Sequence, residues 1–162
     1  ILNIYKIEKF HKKTSNLLLL SILTLIILQI ILGAFLSGLD GGLIYNSWPD
    51  MNGNFLPNDV EFKDVINTQL FNNPSIVQFL HRFTAYVLLL FIVILNYTFM
   101  KNNYAIKNII YFDVAILIQI FLGIVTLISG VEIKYASLHQ LGSIFVLTTY
   151  LIILYKNSNQ QL

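Results

Sequence analysis

The stretch that decides the fold is TSNLLLLSILTLIILQIILGAFLSGL, residues 14–39, a run of 26 residues without a charged side chain. A helix that crosses the apolar core of a bilayer needs roughly 20 apolar residues. Three further uncharged runs follow, at 83–100, 114–131 and 135–155. The sequence therefore predicts an all-α membrane protein, a bundle of four transmembrane helices at about 15–38, 75–100, 106–130 and 135–156.

The composition agrees with this class of protein. Hydrophobic residues make up 56% of the 162-residue chain and charged residues 11%, against about 45–50% and 25% in soluble domains. The absence of cysteine excludes disulfides, thiolate ligands and iron–sulfur clusters. A net charge of +2, scattered along the chain, argues against nucleic acid as a partner. The partner that the composition predicts is the lipid bilayer.

The distribution of positive charge predicts an orientation. Seven of the ten Lys and Arg residues precede helix 1, lie between helices 2 and 3, or follow helix 4. The other three, Lys63, Arg82 and Lys134, lie at the opposite end among six acidic residues. By the positive-inside rule both termini are predicted to be cytoplasmic, and the long connection 38–74 is predicted to face outward.

That connection is predicted to carry a short interfacial helix. Phe62, Val65, Ile66 and Leu70 form one apolar stripe at helical spacing. Asn58, three residues before Glu61, is a candidate helix cap, although Ser or Thr is more usual there. We expect this helix to lie over the outer end of the bundle.

The four helices contain a repeat. Helix 1 carries Gln-Ile-Ile-Leu-Gly at 29–33, and helix 3 carries Gln-Ile-Phe-Leu-Gly at 119–123. Helix 2 then begins with Phe-Leu-His-Arg around His81, and helix 4 with Ser-Leu-His-Gln around His139. The pattern predicts two tandem helical hairpins related by an axis along the membrane normal, as parallel repeats are. His81 and His139 then lie at the same depth, on opposite sides of the bundle.

Two neutral imidazoles that face each other across a four-helix bundle can supply both axial ligands to a haem iron. Ionisable residues inside a membrane are rare and usually functional, so we predict haem-iron ligands at His81 and His139. Two other interpretations stay open: a stand-alone membrane cytochrome b that carries electrons, and a structural or transport bundle whose histidines only form hydrogen bonds. Arg82 is predicted either to contact a haem propionate or to extend to the lipid headgroups.

Several motifs resemble the haem A synthase family (CtaA/Cox15 type), specifically its C-terminal four-helix half. They are LGAFLSGLDGGLIYNSWPDMNG (32–53), NNPSIVQFLHRFTAY (72–86), LGIVTL (122–127) and SLHQLGS (137–143). The resemblance implies an eight-helix enzyme made of two four-helix bundles. Its N-terminal half bundle would oxidise the C8 methyl group of haem O to the formyl group of haem A. This half would bind one haem b through His81 and His139.

The resemblance also implies that this half has no catalytic residue. The family's reactive half carries a glutamate three residues before its first histidine, whereas Gln78 stands at that place here, and an amide cannot act as a base. The expected partners are the N-terminal half bundle, haem O as substrate and haem O synthase. The expected location is the bacterial inner membrane, or the mitochondrial one in a eukaryote. Because the chain begins at Ile1, we expect a fragment of a longer protein.

Overall fold

The structure, a computed structural model, describes residues 14–61, 70–101 and 106–159. Four long helices dominate this part of the chain: α1 (Asn16–Gly38), α2 (Pro74–Lys101), α3 (Ile106–Ile128) and α4 (Ile133–Ser158). Each is long and apolar enough to cross a membrane. The prediction of an all-α membrane protein with four transmembrane helices is therefore confirmed.

The helices pack as two antiparallel hairpins. In the first hairpin α1 packs along α2, and in the second α3 packs along α4, whereas the contacts between the two hairpins are much fewer. The first hairpin is connected by a long loop, 39–73, and the second by a short link, 129–132. We call the end of the bundle that carries these connections the loop end, and the opposite end the terminal end.

The hydrophobic core lies in the half of the bundle near the terminal end. Each helix contributes buried apolar side chains there at helical spacing, so one cluster joins all four helices. Its members are Leu19, Ile22, Ile26, Leu88, Ile92, Leu95, Phe99, Ile109, Phe112, Ile116, Val146, Tyr150 and Ile153. The two hairpins are therefore joined mainly by this terminal half.

Hydrogen bonds between α1 and α4 reinforce the terminal half. The hydroxyl of Tyr150 donates to the backbone carbonyl of Leu19 at 2.6 Å. The backbone N–H of Thr14, just before α1, donates to Oδ1 of Asn157 at 2.9 Å. Both bonds are buried and satisfy polar groups that would otherwise be costly in an apolar surrounding.

Most of the apolar surface of the helices faces outward. No more than 28% of the most apolar window of any of the four helices is buried within the chain. Large side chains such as Phe145, 69% exposed, and Leu117, 64% exposed, lie on these outward faces. Outward faces that expose so many large apolar side chains are not stable in water, and a bilayer is the solvent that they require.

A second contact between the hairpins lies at the loop end. The Nδ2 of Asn46 donates to the carbonyl of Gly42 in its own loop at 2.7 Å and to the carbonyl of Leu127 in α3 at 3.0 Å. Gly42 approaches Val131 so closely that an added Cβ would lie 2.8 Å from its Cγ2 atom. The long loop therefore extends from the first hairpin onto the second.

The structure describes only part of the segment in which the interfacial helix is expected. Asn58 lies in a turn and Glu61 lies outside any helix, so the expected cap does not start a helix there. Residues 62–69, which carry most of the expected stripe, lie outside the described residues. A 3₁₀ turn, Leu70–Asn72, leads into α2.

Candidate functional site

The two repeated histidines lie in the half of the bundle near the loop end, outside the apolar core. His81 is in the second turn of α2 and His139 in the second turn of α4. Both side chains are partly buried. The structure thus places the two residues that the repeat singled out at equivalent positions near the same end of the bundle.

The repeated glutamines hold the backbone at each histidine. The Nε2 of Gln29 donates to the carbonyl of His81 at 3.0 Å, and the Nε2 of Gln119 donates to the carbonyl of His139 at 2.8 Å. In both cases the Oε1 atom is buried without a hydrogen-bond partner. Each hairpin therefore carries the same bond from its first helix to the histidine of its second.

The imidazole of His139 has one ring nitrogen paired with the backbone. Its Nδ1 lies 3.1 Å from the carbonyl oxygen of Gln119. A carbonyl oxygen only accepts, so Nδ1 must be the nitrogen that carries the proton. The Nε2 atom then keeps a lone pair, and within the described part of the chain it has no hydrogen-bond partner.

The imidazole of His81 is arranged differently. Its Nε2 lies 3.3 Å from the Nε2 of Gln29, which donates because an amide nitrogen cannot accept. The proton of a neutral ring is then on Nδ1, and this atom is buried without a partner. Gln29 thus contacts both the backbone carbonyl and the ring of His81.

The glycine that ends each repeated motif leaves room for the imidazole. A Cβ added at Gly33 would lie 3.3 Å from Cε1 of His81, and a Cβ added at Gly123 would lie 2.9 Å from Cε1 of His139. The first distance is tight and the second is shorter than real Cβ contacts allow. Each histidine ring therefore lies directly against the neighbouring helix where that helix lacks a side chain.

These residues fit a haem with two axial histidines. A haem iron of this kind needs a nitrogen lone pair from each of two neutral imidazoles. The Nε2 of His139 has such a lone pair free, whereas the Nε2 of His81 accepts a hydrogen bond from Gln29. Among the described residues, no group of three or more His, Cys, Asp and Glu side chains is arranged for a multi-ligand metal ion. The nitrogen donors at this place are one imidazole from each hairpin.

Arg82 anchors the long loop of the first hairpin. Its Nη1 donates to the carbonyl of Asp50 at 2.7 Å, and its Nη2 donates to the carbonyl of Tyr45 at 2.9 Å. Gln78, one turn earlier on α2, is buried and donates to the same Tyr45 carbonyl at 2.9 Å. Both side chains act here as donors to backbone, a role that the sequence did not indicate.

A partly buried hydroxyl–carboxylate network fixes the other part of this loop. Asp59 accepts hydrogen bonds from the hydroxyls of Tyr45 at 2.5 Å and Ser75 at 2.6 Å. Burial alone would raise the pKa of Asp59, but the hydrogen bonds from Ser75 and Tyr45 outweigh burial and lower it. The pKa of Tyr45 is raised, first by burial and then by its bond to Asp59. No periodic pattern in the sequence indicates these contacts.

Two other polar features lie away from the histidines. Asp113 on α3 accepts a hydrogen bond from Nδ2 of Asn96 on α2 at 3.1 Å, which links the hairpins. A groove of about 420 Å³ runs between α3 and α4 from Asn108 to Gly142 and includes neither histidine. Its other lining residues are mostly apolar, so it belongs to the membrane-facing surface.

The fold and the site define a class of protein: multi-pass membrane proteins built from two equivalent helical hairpins, each with a histidine held by a glutamine on the neighbouring helix. The profile of the COX15-CtaA family, described as cytochrome oxidase assembly protein, matches residues 5–151. The chain belongs to this family. No solved structure matches the chain.

Several bacterial relatives carry the name Heme A synthase. The protein from Pelagibacter ubique (strain HTCC1062) is 72% identical over 159 residues, which cover 98% of the chain and 47% of the relative. That from Rickettsia bellii (strain OSU 85-389) is 42% identical over 129 residues, or 78% of the chain and 38% of the relative. That from Wolbachia pipientis wMel is 41% identical over 122 residues, which cover 75% of the chain and 34% of the relative. The chain thus spans less than half the length of these relatives.

Proposed function

We propose that this chain is the haem b-binding half of a haem A synthase. The observation that carries the proposal is the repeated pair His81 and His139, each bonded through its backbone carbonyl to a glutamine and each lying against a glycine. Such matched positioning is unexpected for histidines that merely satisfy a polar surface. It suits two ligands that must face one planar group from opposite sides.

In this proposal His81 and His139 are the axial ligands of one haem b. A haem held by two histidines supplies a one-electron carrier and has no open iron position for oxygen or substrate. The half-buried imidazoles would hold the haem through its iron, and the close approach at Gly33 and Gly123 would limit the tilt of each imidazole. The chain's own residues therefore bind and orient a cofactor rather than transform one.

Arg82 would lie at the rim of this site. Two of its five N–H groups donate to loop carbonyls, and the guanidinium retains others that can donate to an anion. We propose that these contact a haem propionate while the loop stays anchored. The same side chain would then connect the loop of the first hairpin to the cofactor.

The oxidation of haem O would take place in the N-terminal half bundle of the whole protein. Conversion of a methyl to a formyl group removes four electrons and adds one oxygen atom, so the enzyme needs a reactive site and a route for electrons. Gln78 supports the division of labour, because its amide donates to the Tyr45 carbonyl and a carboxylate could not. The haem b half would hold or pass electrons.

The proposed setting is the bacterial inner membrane, with both termini in the cytoplasm. Positive charge gathers at the terminal end of the bundle, where Lys101, Lys107 and Lys156 lie at helix ends, and this distribution favours a cytoplasmic terminal end. The long loop and the histidines would then lie in the outer half. Haem O synthase is a proposed further partner, as the supplier of the substrate.

A spectrum of the purified chain tests the ligand pair. The chain is expressed in bacterial membranes, purified in detergent with haem supplied, and a reduced-minus-oxidised spectrum is recorded. Sharp low-spin b-type bands are expected, and both His81→Ala and His139→Ala should abolish them. A normal low-spin spectrum in either variant would show that the assignment is wrong.

Co-expression tests the role in haem A synthesis. The chain is produced together with the remaining half of the Pelagibacter relative in a host that makes haem O, and extracted haems are separated by chromatography. Haem A should accumulate only when both halves are present. Haem A production by the other half alone would contradict the proposed role.

A further inference from the structure

The two copies of the Gln-Ile-x-Leu-Gly motif hold their histidines in two different arrangements. Both glutamines donate to a histidine carbonyl. In the second hairpin, however, the backbone carbonyl of Gln119 binds Nδ1 of His139. In the first hairpin, the side-chain amide of Gln29 lies at Nε2 of His81. The same elements thus present different ring nitrogens to the neighbouring helix.

The difference bears on which nitrogen is available to a metal. The Nε2 of His139 keeps its lone pair because its proton is on the nitrogen that faces the Gln119 carbonyl. The lone pair of His81 Nε2 instead accepts from Gln29. One histidine is therefore ready to bind, and the other is occupied by a hydrogen bond.

The first arrangement also leaves a polar atom unsatisfied. The Nδ1 of His81 is buried without a partner, which is unfavourable. If the ring turned to the arrangement of His139, this proton would face the backbone carbonyl of Gln29 and Nε2 would be released. The hydrogen bond from Gln29 to the ring would thus be exchanged for one from the ring to the Gln29 carbonyl.

We propose that His139 is the pre-positioned ligand of the pair and that Gln29 holds His81 back until its ring turns. The inference rests on the proposed haem b site. Gln29 and Gln119 are positioning residues in this scheme: Gln119 orients the first ligand through its backbone carbonyl, and Gln29 delays the second through its side chain. Ligation would therefore occur in order, first at His139 and then at His81.

Chemical modification without haem tests the difference directly. Diethyl pyrocarbonate reacts with an imidazole nitrogen that has a lone pair available, and mass spectrometry reports each site separately. In the haem-free full chain, His139 should react several-fold faster than His81. Gln29→Leu should speed the reaction of His81 by about two- to tenfold, as expected from the loss of one hydrogen bond. Gln140→Leu, an exposed position beside His139, is the matched control and should change neither rate.

Haem binding gives the second measurement. His81→Ala should still bind haem through His139, as a five-coordinate high-spin species, whereas His139→Ala should bind at least about tenfold more weakly than His81→Ala. In stopped-flow mixing with haemin, Gln29→Leu should form the low-spin species several-fold faster than the wild-type chain. Gln119→Leu should not speed the formation of the low-spin species.

The outcomes separate the two proposals. Equal modification rates at His81 and His139, or an unchanged His81 rate in Gln29→Leu, would overturn the ordered ligation whatever the haem content. Unequal rates in a wild-type chain that never shows a low-spin b-type spectrum would support the difference between the histidines and contradict the haem b site. Tighter haem binding by His139→Ala than by His81→Ala would reverse the proposed order.

Discussion

The two hairpins share the residues around their histidines and differ in what connects their helices. Gln29, Gly33 and His81 have counterparts in Gln119, Gly123 and His139, and in each hairpin the glutamine amide donates to the histidine carbonyl. Arg82 and Gln78, which anchor the long loop, have Gln140 and Ala136 in the corresponding places of the second hairpin. The second hairpin has only a short link, so it has no loop to anchor.

This difference separates two kinds of residue. Features that occur in both copies belong to the histidine site, whereas features of one copy belong to the loop that only this copy has. Arg82 and Gln78 therefore serve the loop first, although they lie beside His81 in sequence. The following experiments use the counterpart in the other hairpin, or a neighbour outside the contact, as the control.

The largest effect is expected for Arg82→Ala. It removes two charge-assisted hydrogen bonds to the loop, which we expect to destabilise the closed loop by about 2 kcal/mol. Hydrogen–deuterium exchange of residues 44–52 should rise accordingly. Gln140→Ala, the counterpart in the second hairpin, should leave this exchange unchanged, and a similar rise in both variants would contradict the comparison.

The glycines test whether the two histidine sites are equally tight. Gly123→Ala places a Cβ 2.9 Å from the ring of His139, whereas Gly33→Ala places one 3.3 Å from the ring of His81. We expect haem titration to show binding weakened about tenfold by Gly123→Ala and about threefold by Gly33→Ala, because overpacking costs about 1–3 kcal/mol at tight sites. A Cβ at Gly38 meets nothing within 4 Å, so Gly38→Ala should bind haem normally. If Gly123→Ala also bound haem as well as Gly38→Ala does, the close fit between Gly123 and the His139 ring would be contradicted.

Only the first hairpin should respond to acid through its loop. The pKa of Asp59 is lower in the folded loop than in the unfolded chain. Its contribution to stability is therefore complete above the ordinary pKa of about 3.9 and is lost as the pH falls through the lower folded value. We expect proteolysis of the loop to increase a few-fold between pH 5 and pH 3, roughly as for one lost hydrogen bond. Asp59→Asn should reduce this pH dependence and leave the part that comes from Asp50, whose pKa is also lowered, first by its hydrogen bond with Ser47. An unchanged pH dependence in Asp59→Asn would contradict the role of Asp59.

The smallest effect is expected for the contact between the loop and the second hairpin. Asn46→Ala removes the donor to the carbonyls of Gly42 and Leu127. These bonds are exposed, so we expect a cost of only about 0.5 kcal/mol. A cysteine cross-link between positions 42 and 131, which approach closely, should form somewhat more slowly in this variant. A large loss of cross-linking would mean that Asn46 holds the hairpins together.

The helices and the histidine pair could be predicted from sequence because both depend on local pattern. Uncharged runs determine which segments can cross a bilayer, and the repeated glutamine and histidine place His81 and His139 on equivalent helices. The contacts of Arg82, Gln78 and Asp59 could not be predicted in this way. They join residues separated by an irregular loop, and no periodicity indicates which carbonyl a side chain will reach.

The different ring arrangements of His81 and His139 also could not be predicted from the sequence. Gln29 and Gln119 are identical in type and position, so pattern alone treats their histidines as equivalent. Which ring nitrogen each histidine presents depends on small differences in how the helices approach, as at Gly33 and Gly123. The sequence can therefore predict a pair of equivalent histidines without predicting that their rings are arranged differently.

The concentration of the apolar core near the terminal end has a consequence for the order of assembly. Buried apolar contacts give the terminal half the greater resistance to local opening, whereas the loop half is connected by hydrogen bonds such as those of Asn46. The hairpins can thus associate first and separate transiently at one end while they stay joined at the other. We therefore expect that a flat molecule could enter from the side of the bundle after the chain has folded, while the terminal half stays closed.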